Sequence, residues 1–145
     1  MFGWLGRLLL GSGTLKPELR KELEAEGLVL IEEGLPGSVR YTHFKAPGRR
    51  FHGKVTPERM ALGISRKRFV VYCKSGRAKL ADSAFTSPNL RGVDVSLDGD
   101  DRVVITIDYD KLDIERVSGQ VALHLRTGNA RRVAGELRAR LAPAA

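Results

Sequence analysis

The spacing of apolar residues changes twice along this chain. Between Thr14 and Gly27, Leu15, Leu19 and Leu23 recur every four residues and leave Glu18, Lys21, Glu22 and Glu26 on the wetter faces, the pattern of a short surface helix. Thr14 is placed to cap that helix, Pro17 fits its first turn and Gly27 ends it. From Gly27 onward the period falls to two, in short runs rich in β-branched and aromatic residues. These runs predict strands at Leu28 to Glu33, Ser38 to Ala46, Phe51 to Val55, Met60 to Ser65, Arg68 to Lys74, Val93 to Leu97, Arg102 to Tyr109 and Gln120 to Thr127. Turns are expected at Pro36-Gly37, Pro47-Gly48, Arg66-Lys67, Ser75-Gly76, Asp98-Gly99 and Ser118-Gly119. Arg77 to Gly92 stays open between an edge strand at Lys79 to Asp82 and a loop around Ser87-Pro88-Asn89. Helical spacing returns in Ala130, Val133, Ala134, Leu137 and Leu141, with Asn129 as cap and Pro143 as stop.

The elements describe a mainly β chain, α+β by count. The expected architecture is a small antiparallel barrel or two packed sheets, capped by a C-terminal helix and carrying an additional short N-terminal one. A length of 145 residues suits one core, so the organisation expected is an apolar segment and linker at 1–13, a single domain at 14–142 that includes the helix at 14–26, and a tail at 143–145. Hydrophobic residues at 42% and charged residues at 29% argue against both wholesale disorder and a multi-span membrane protein. The apolar start, Met1 to Leu10, is much shorter than the roughly 20 residues of a spanning helix. A secretory signal would put its positive charge before the apolar region and a small-residue cleavage site after it, whereas Arg7 interrupts the run, so a cytoplasmic location is expected. The lone Cys73, inside Phe69-Val70-Val71-Tyr72-Cys73, reads as a buried small hydrophobe.

Catalytic chemistry has no signature here. His43, His52 and His124 fall in expected strands without a nucleophile motif, and a histidine such as that in Leu123-His124-Leu125 most simply points out of a sheet. One cysteine and scattered histidines supply no zinc set, and Asp98-Gly99-Asp100-Asp101 reads as a hairpin turn before it reads as a calcium loop. The reading is therefore noncatalytic, with no cofactor and no metal.

Charge changes the picture more. From Ser38 through Lys79, twelve Lys and Arg face one acidic residue, Glu58, a net +11. From Leu80 through Ser118, four Lys and Arg meet nine Asp and Glu, a net −5. The positive residues gather in two places, Arg49, Arg50 and Lys54, and Arg66, Lys67 and Arg68. If both share one end of the fold, they form an anion-facing patch for a membrane surface. Phe2, Trp4, Leu5, Leu8 and Leu9 are the candidate membrane contacts beside it, because a tryptophan in an apolar helical stripe favours the interfacial zone. The same N-terminal residues could instead pack on the domain or join two copies. Nucleic acid is a further candidate partner, since clustered arginine also matches a phosphate backbone, although alternation places Tyr41, Phe44 and Phe51 in a core rather than under bases.

Met60-Ala61-Leu62-Gly63-Ile64-Ser65-Arg66-Lys67-Arg68-Phe69-Val70-Val71-Tyr72 and Ser118-Gly119-Gln120-Val121-Ala122-Leu123-His124-Leu125-Arg126-Thr127, running into Asn129-Ala130-Arg131-Arg132-Val133-Ala134, carry a resemblance to a known group. The first resembles the paired strands and basic turn of the pleckstrin-homology-like superfamily, especially bacterial PH-like and GRAM-type members. The second resembles its last strand and closing helix. The resemblance covers roughly residues 60–141 and implies a helix-capped β fold acting as a binding or scaffold module. Two features depart from the group: the closing helix has no tryptophan, and the basic signature of phosphoinositide-binding members is echoed only loosely, by Lys45, Arg49, Arg50 and Lys54. The expected function is thus a noncatalytic module, with peripheral attachment to the inner face of an anionic membrane as its first candidate role. A protein-protein interaction domain without a lipid role, and a nucleic-acid binder, are the alternatives.

Overall fold

The structure, a computed structural model, describes residues 12–112 and 114–141. The candidate membrane contacts Phe2, Trp4, Leu5, Leu8 and Leu9 lie outside the described residues. Contacts group the chain into two compact units, one built from the segment up to Gly37 with Pro57–Ser87, the other from Ser38–Thr56 with the segment from Pro88 onward. A single 19-residue strand, β1 (Leu28–Ala46), contributes its first half to the former and its second half to the latter. Two strands with a turn at Pro36-Gly37 are expected here, and the difference is local. Gly34 takes a φ of +69°, and the fixed φ of Pro36 suits extended backbone, so the chain passes through this stretch without reversing.

The first unit contains helix α1 (Pro17–Ala25), the strand β3 (Val55–Ser65) from Pro57 onward, and the strands β4 (Arg68–Cys73) and β5 (Ala78–Ala84). Its strand order is β5-β4-β3-β1. The open segment after Arg77 thus resolves into an edge strand. Hairpin β3–β4 turns at Arg66-Lys67 as expected, pairing Met60 with Cys73 and Ile64 with Phe69. Period two puts Met60, Leu62 and Ile64 on one face and Ala61, Gly63 and Ser65 on the other, yet all six are buried. The Ala61 face is covered by Leu15, Leu19 and Leu23 of the α1 segment, packed with Val70, Ile31 and Tyr72.

Thr14 does not cap α1. The helix starts at Pro17 with Lys16 at the cap position and no side-chain capping bond, because the preceding residues are used as a tether. The Leu15 N–H donates to Glu33 on β1 at 2.8 Å, and Arg20 pairs with the same carboxylate. Gly63 lets the helix seat closely: a methyl group at this position would lie 2.5 Å from Leu23 Cδ1 and 3.2 Å from Val70 Cγ2. Cys73 is buried, as its run predicts, and burial followed by the nearby Glu58 carboxylate pushes its thiol up to about 11.

Arg68 belongs to the structure of this unit rather than to an anion-facing patch, a correction to the expectation from sequence. It pairs with Glu22 at 2.9 Å, Glu26 at 3.0 Å and Asp82 at 3.0 Å, so α1 and β5 are both fastened to β4 through one guanidinium. Ser65 completes the knot by donating to the same Glu26 oxygen at 2.8 Å. Burial by itself would raise the Glu26 carboxyl, but the hydrogen bonds from Ser65 and Arg68 outweigh it and hold Glu26 below the usual carboxylate range.

The second unit holds β2 (Arg49–Phe51), β6 (Val93–Leu97), β7 (Arg102–Asp108), β8 (Ser118–Arg126), two single 3-10 turns at Pro88–Gly92 and Tyr109–Lys111, and helix α2 (Ala130–Leu141). Its strand order is β1-β8-β7-β6, with β2 paired to β1. Val95, Val103, Ile105, Ile107, Val121, Leu123 and Leu125 share the buried face. Helix α2 lies over β6 and β7 and buries Ala130, Val133, Ala134 and Leu137, the stripe read from sequence. The Asp98-Gly99 turn closes the β6–β7 hairpin, and its carboxylates are spent on arginines: Asp98 on Arg102, Asp100 on Arg131 and Asp101 on Arg126. No helix among the described residues is long and apolar enough to cross a membrane.

Two substitutions of the same kind separate packing from backbone entropy. Gly63→Ala is expected to destabilise by about 1–2 kcal/mol, because overpacking against the enclosed Leu23 outweighs the gain from a stiffer unfolded chain. Gly135→Ala, on an exposed face of α2 where nothing lies within 4 Å, is expected to stabilise by about 0.5–1 kcal/mol. Urea denaturation of both variants checks the opposite signs. Acid titration reads the Arg68 knot. A carboxyl held low when folded and released to its ordinary range when unfolded stabilises fully at neutral pH, and that contribution drains away as pH falls through and below about 4. Glu26→Gln is therefore expected to lower stability by about 1–2 kcal/mol near pH 7 and by much less near pH 3, as denaturation midpoints at the two pH values will show.

Candidate functional site

The β1–β2 hairpin in the second unit carries the candidate site. Its two-residue turn, Pro47-Gly48, sets a register in which Phe44 faces Phe51, Lys45 faces Arg50 and Ala46 faces Arg49. A strand of three residues has little stability of its own, and aromatic packing supplies it. Tyr41 lies 5.0 Å from Phe51 and 5.4 Å from Phe44 between ring centroids, and Tyr109 meets the edge of Phe44 at 5.8 Å. Burial, then the neighbouring Tyr41, raises the Tyr109 phenol. Lys54 Nζ sits 4.1 Å from the Phe51 ring centre, which pins the return of the hairpin. The strand expected at Phe51 to Val55 is broken here: Gly53 turns at φ +71°, and the backbone closes through Gly53 N–H to Tyr41 C=O and Tyr41 N–H to Lys54 C=O.

Beside the hairpin is a cleft of about 360 Å³, lined by His43, Phe44, Lys45, Arg50, Phe51, His52, Asp110, Ser118 and Gly119. That volume is in the range of a small-ligand site. The two histidine rings stack at 4.1 Å with 20° between their planes, and His52 Nδ1 accepts the His43 backbone N–H at 3.2 Å. His43 holds a left-handed backbone, φ 47°, inside β1. Gly119, at φ +90°, lies where any side chain would collide with the His43 carbonyl, so the approach of β8 to β1 is possible only with glycine at 119. Asp110 is positioned by its own turn. Its N–H donates to Asp108 at 3.1 Å, and its Oδ1 accepts the Gly119 N–H at 2.9 Å.

Lys45 and Arg50 are directly opposed across the strand pair, and like charges in that position repel. Among the described residues no carboxylate pairs with Lys45, Arg49 or Arg50, all of which are exposed. The cleft thus presents two cations without ion-pair partners and two imidazoles, with the Asp110 carboxylate on the same lining, a set whose donors suit an oxyanion such as phosphate. Ser118 and Asp110 also line the cleft, where Asp110 Oδ1 accepts the Gly119 N–H and His52 Nδ1 the His43 N–H.

Of the residues singled out from sequence, Arg49, Arg50 and Lys54 gather on this hairpin. Arg66 and Lys67 are exposed on the β3–β4 turn of the first unit, where the stem of Arg66 covers Gly27, and Arg68 is engaged by three carboxylates. His43, His52, Asp110 and Ser118 are site residues that sequence reading missed. For the histidines a signal exists: folding the chain back at Pro47-Gly48 puts His43 against His52 one step beyond Phe44 and Phe51. Asp110 and Ser118 have none, because they arrive from distant elements.

No protein-family model matches this chain, and no curated protein matches it.

Proposed function

We propose that this chain is a noncatalytic binding module of the PH-like kind, working in the cytoplasm and attaching to the phosphate-bearing face of an anionic membrane through the β1–β2 hairpin. The observation that carries the reading is the Lys45–Arg50 pair, opposed across the strands, without an ion-pair partner among the described residues and lining a cleft. A repulsive pair of this kind is relieved when an anion enters between its members. Lys45, Arg49, Arg50 and Lys54 together give on the order of 4 kcal/mol of attraction at an anionic surface, at about 1 kcal/mol each, and salt screens it. The segments on which the PH-like resemblance rests, the Met60 to Tyr72 strand pair and the last strand running into a closing helix, are both formed. The apolar run Phe2, Trp4, Leu5, Leu8 and Leu9 offers by its sequence a second weak membrane signal. Nucleic acid suits this surface less well, because Tyr41, Phe44, Phe51 and Tyr109 pack on one another rather than standing free to stack bases.

Vesicle co-sedimentation tests the proposal. Recovery is expected on phosphatidylcholine vesicles containing phosphatidylserine, with much less on phosphatidylcholine alone and progressive loss as salt rises. Lys45→Ala with Arg50→Ala is expected to weaken partitioning about 30-fold, the equivalent of roughly 2 kcal/mol, and deletion of residues 1–11 to weaken it further. Equal recovery on neutral and anionic vesicles would defeat the membrane reading. A specific protein captured under those conditions, or a salt-steep shift with DNA or RNA, would put an alternative partner in its place.

A further inference from the structure

One nitrogen in the cleft makes anion capture sensitive to protons. His52 Nδ1 accepts the His43 N–H, so the neutral ring carries its own proton on Nε2. A second proton converts Nδ1 from acceptor to donor. Two donors then face each other, the bond cannot persist, and the His43 N–H, already held by a left-handed backbone, is released as a free donor. The same proton adds a positive charge to a ring stacked 4.1 Å from its neighbour on the wall of the cleft.

The surrounding groups decide what that charge meets. Lys45 from β1 and Arg50 from β2 bring basic side chains to the cleft, and Lys54 lies nearby on the Phe51 ring. Asp110, from the 3-10 turn, is the acidic residue lining the cleft, with one oxygen committed to Gly119. Ser118 and Gly119 from β8, and Phe44 and Phe51, bring no charge. An imidazolium in the empty cleft therefore joins a crowd of like charges, whereas beside a bound oxyanion it joins the attraction.

We infer that the cleft takes up a phosphate- or sulfate-class oxyanion together with a proton, His52 being the coupling residue, so that affinity rises as pH falls. This rests on the anion-binding reading of the hairpin. Coupling is reciprocal: whatever the anion does for protonation, protonation does for the anion.

Inorganic sulfate is the probe, because it keeps its charge from about pH 8 to about pH 5.5, while a phosphate monoester gains a proton near 6. Calorimetric titration of the full chain is expected to show about tenfold tighter sulfate binding at the lower pH, within the usual span of coupled sites. Heats that differ between buffers of unlike ionisation enthalpy should report proton uptake. His52→Asn, whose amide oxygen can accept from the His43 N–H at either pH, is expected to bind sulfate with the same affinity at both pH values. His43→Asn, which tolerates the left-handed backbone and leaves His52 in place, is expected to retain the pH dependence. Circular dichroism at both pH values checks that each variant is folded. Repeating the comparison with phosphatidylserine vesicles distinguishes a membrane source of the anion from a soluble one.

Sulfate binding that does not change with pH, or a pH dependence that survives His52→Asn, overturns the coupling and leaves the anion cleft standing. No sulfate binding at either pH, together with unchanged vesicle binding by the Lys45→Ala, Arg50→Ala chain, removes the anion reading and the coupling with it.

Discussion

Where β8 begins, Gly119 lies against the carbonyl of His43, and the cleft depends on that backbone contact. It accounts for a glycine at φ +90°, a histidine forced to φ 47°, and an Asp110 carboxylate anchored on the Gly119 amide. Residues in sparsely populated backbone regions persist only where their surroundings over-determine them. Here the surroundings are the Gly119 contact, the His52 ring accepting from the strained residue, and the aromatic cluster of Tyr41, Phe44, Phe51 and Tyr109. The polar groups of the cleft thus stand on a stiff support, which lets a three-residue strand present Arg50 opposite Lys45.

Charge acts in this protein through pairing rather than through totals. The chain is most positive between Ser38 and Lys79, but its members behave differently. Arg68 is surrounded by Glu22, Glu26 and Asp82 and serves as a fastener between α1, β4 and β5. Lys45, Arg49 and Arg50 have no such partners among the described residues and remain available to a ligand. The acidic stretch is compensated in turn, since Asp98, Asp100 and Asp101 each meet an arginine. A satisfied pair contributes to the fold and little to the outer field, while an unsatisfied one does the reverse.

The first unit shows how the opposite environment is built. Strand β3 is buried on both faces from Met60 to Ser65, so its sequence reads as a nearly continuous apolar run and a side chain at Gly63 would have no room. Cys73 in the paired strand is enclosed, and its thiol is pushed away from reactivity. The enclosed apolar packing there contrasts with the exposed cations of the hairpin, and the proposed chemistry follows those exposed groups.

The sequence alone determined the buried face of the amphipathic elements, such as β7 and α2, because periods of two and near four express which face meets an apolar neighbour, whereas in β3 both faces are buried. Strands β6 and β7, the Asp98-Gly99 and Arg66-Lys67 turns, the edge strand option after Arg77 and the α2 stripe were all legible on that basis. It failed where local preference is indifferent: Pro36-Gly37 suits a turn or an extended passage, and Thr14 can cap a helix or precede a tether to Glu33. Part of the site was legible as well, since Arg49, Arg50 and Lys54 stood out as a cluster and the Pro47-Gly48 turn carried the register that joins His43 to His52. Tertiary structure decided the rest, namely that Arg68 is neutralised, that Lys45 and Arg50 are not, and that Asp110, Ser118 and Gly119 complete a cleft. Ion pairs and cleft walls join residues far apart in sequence, and such contacts leave no period along the chain from which they could be read.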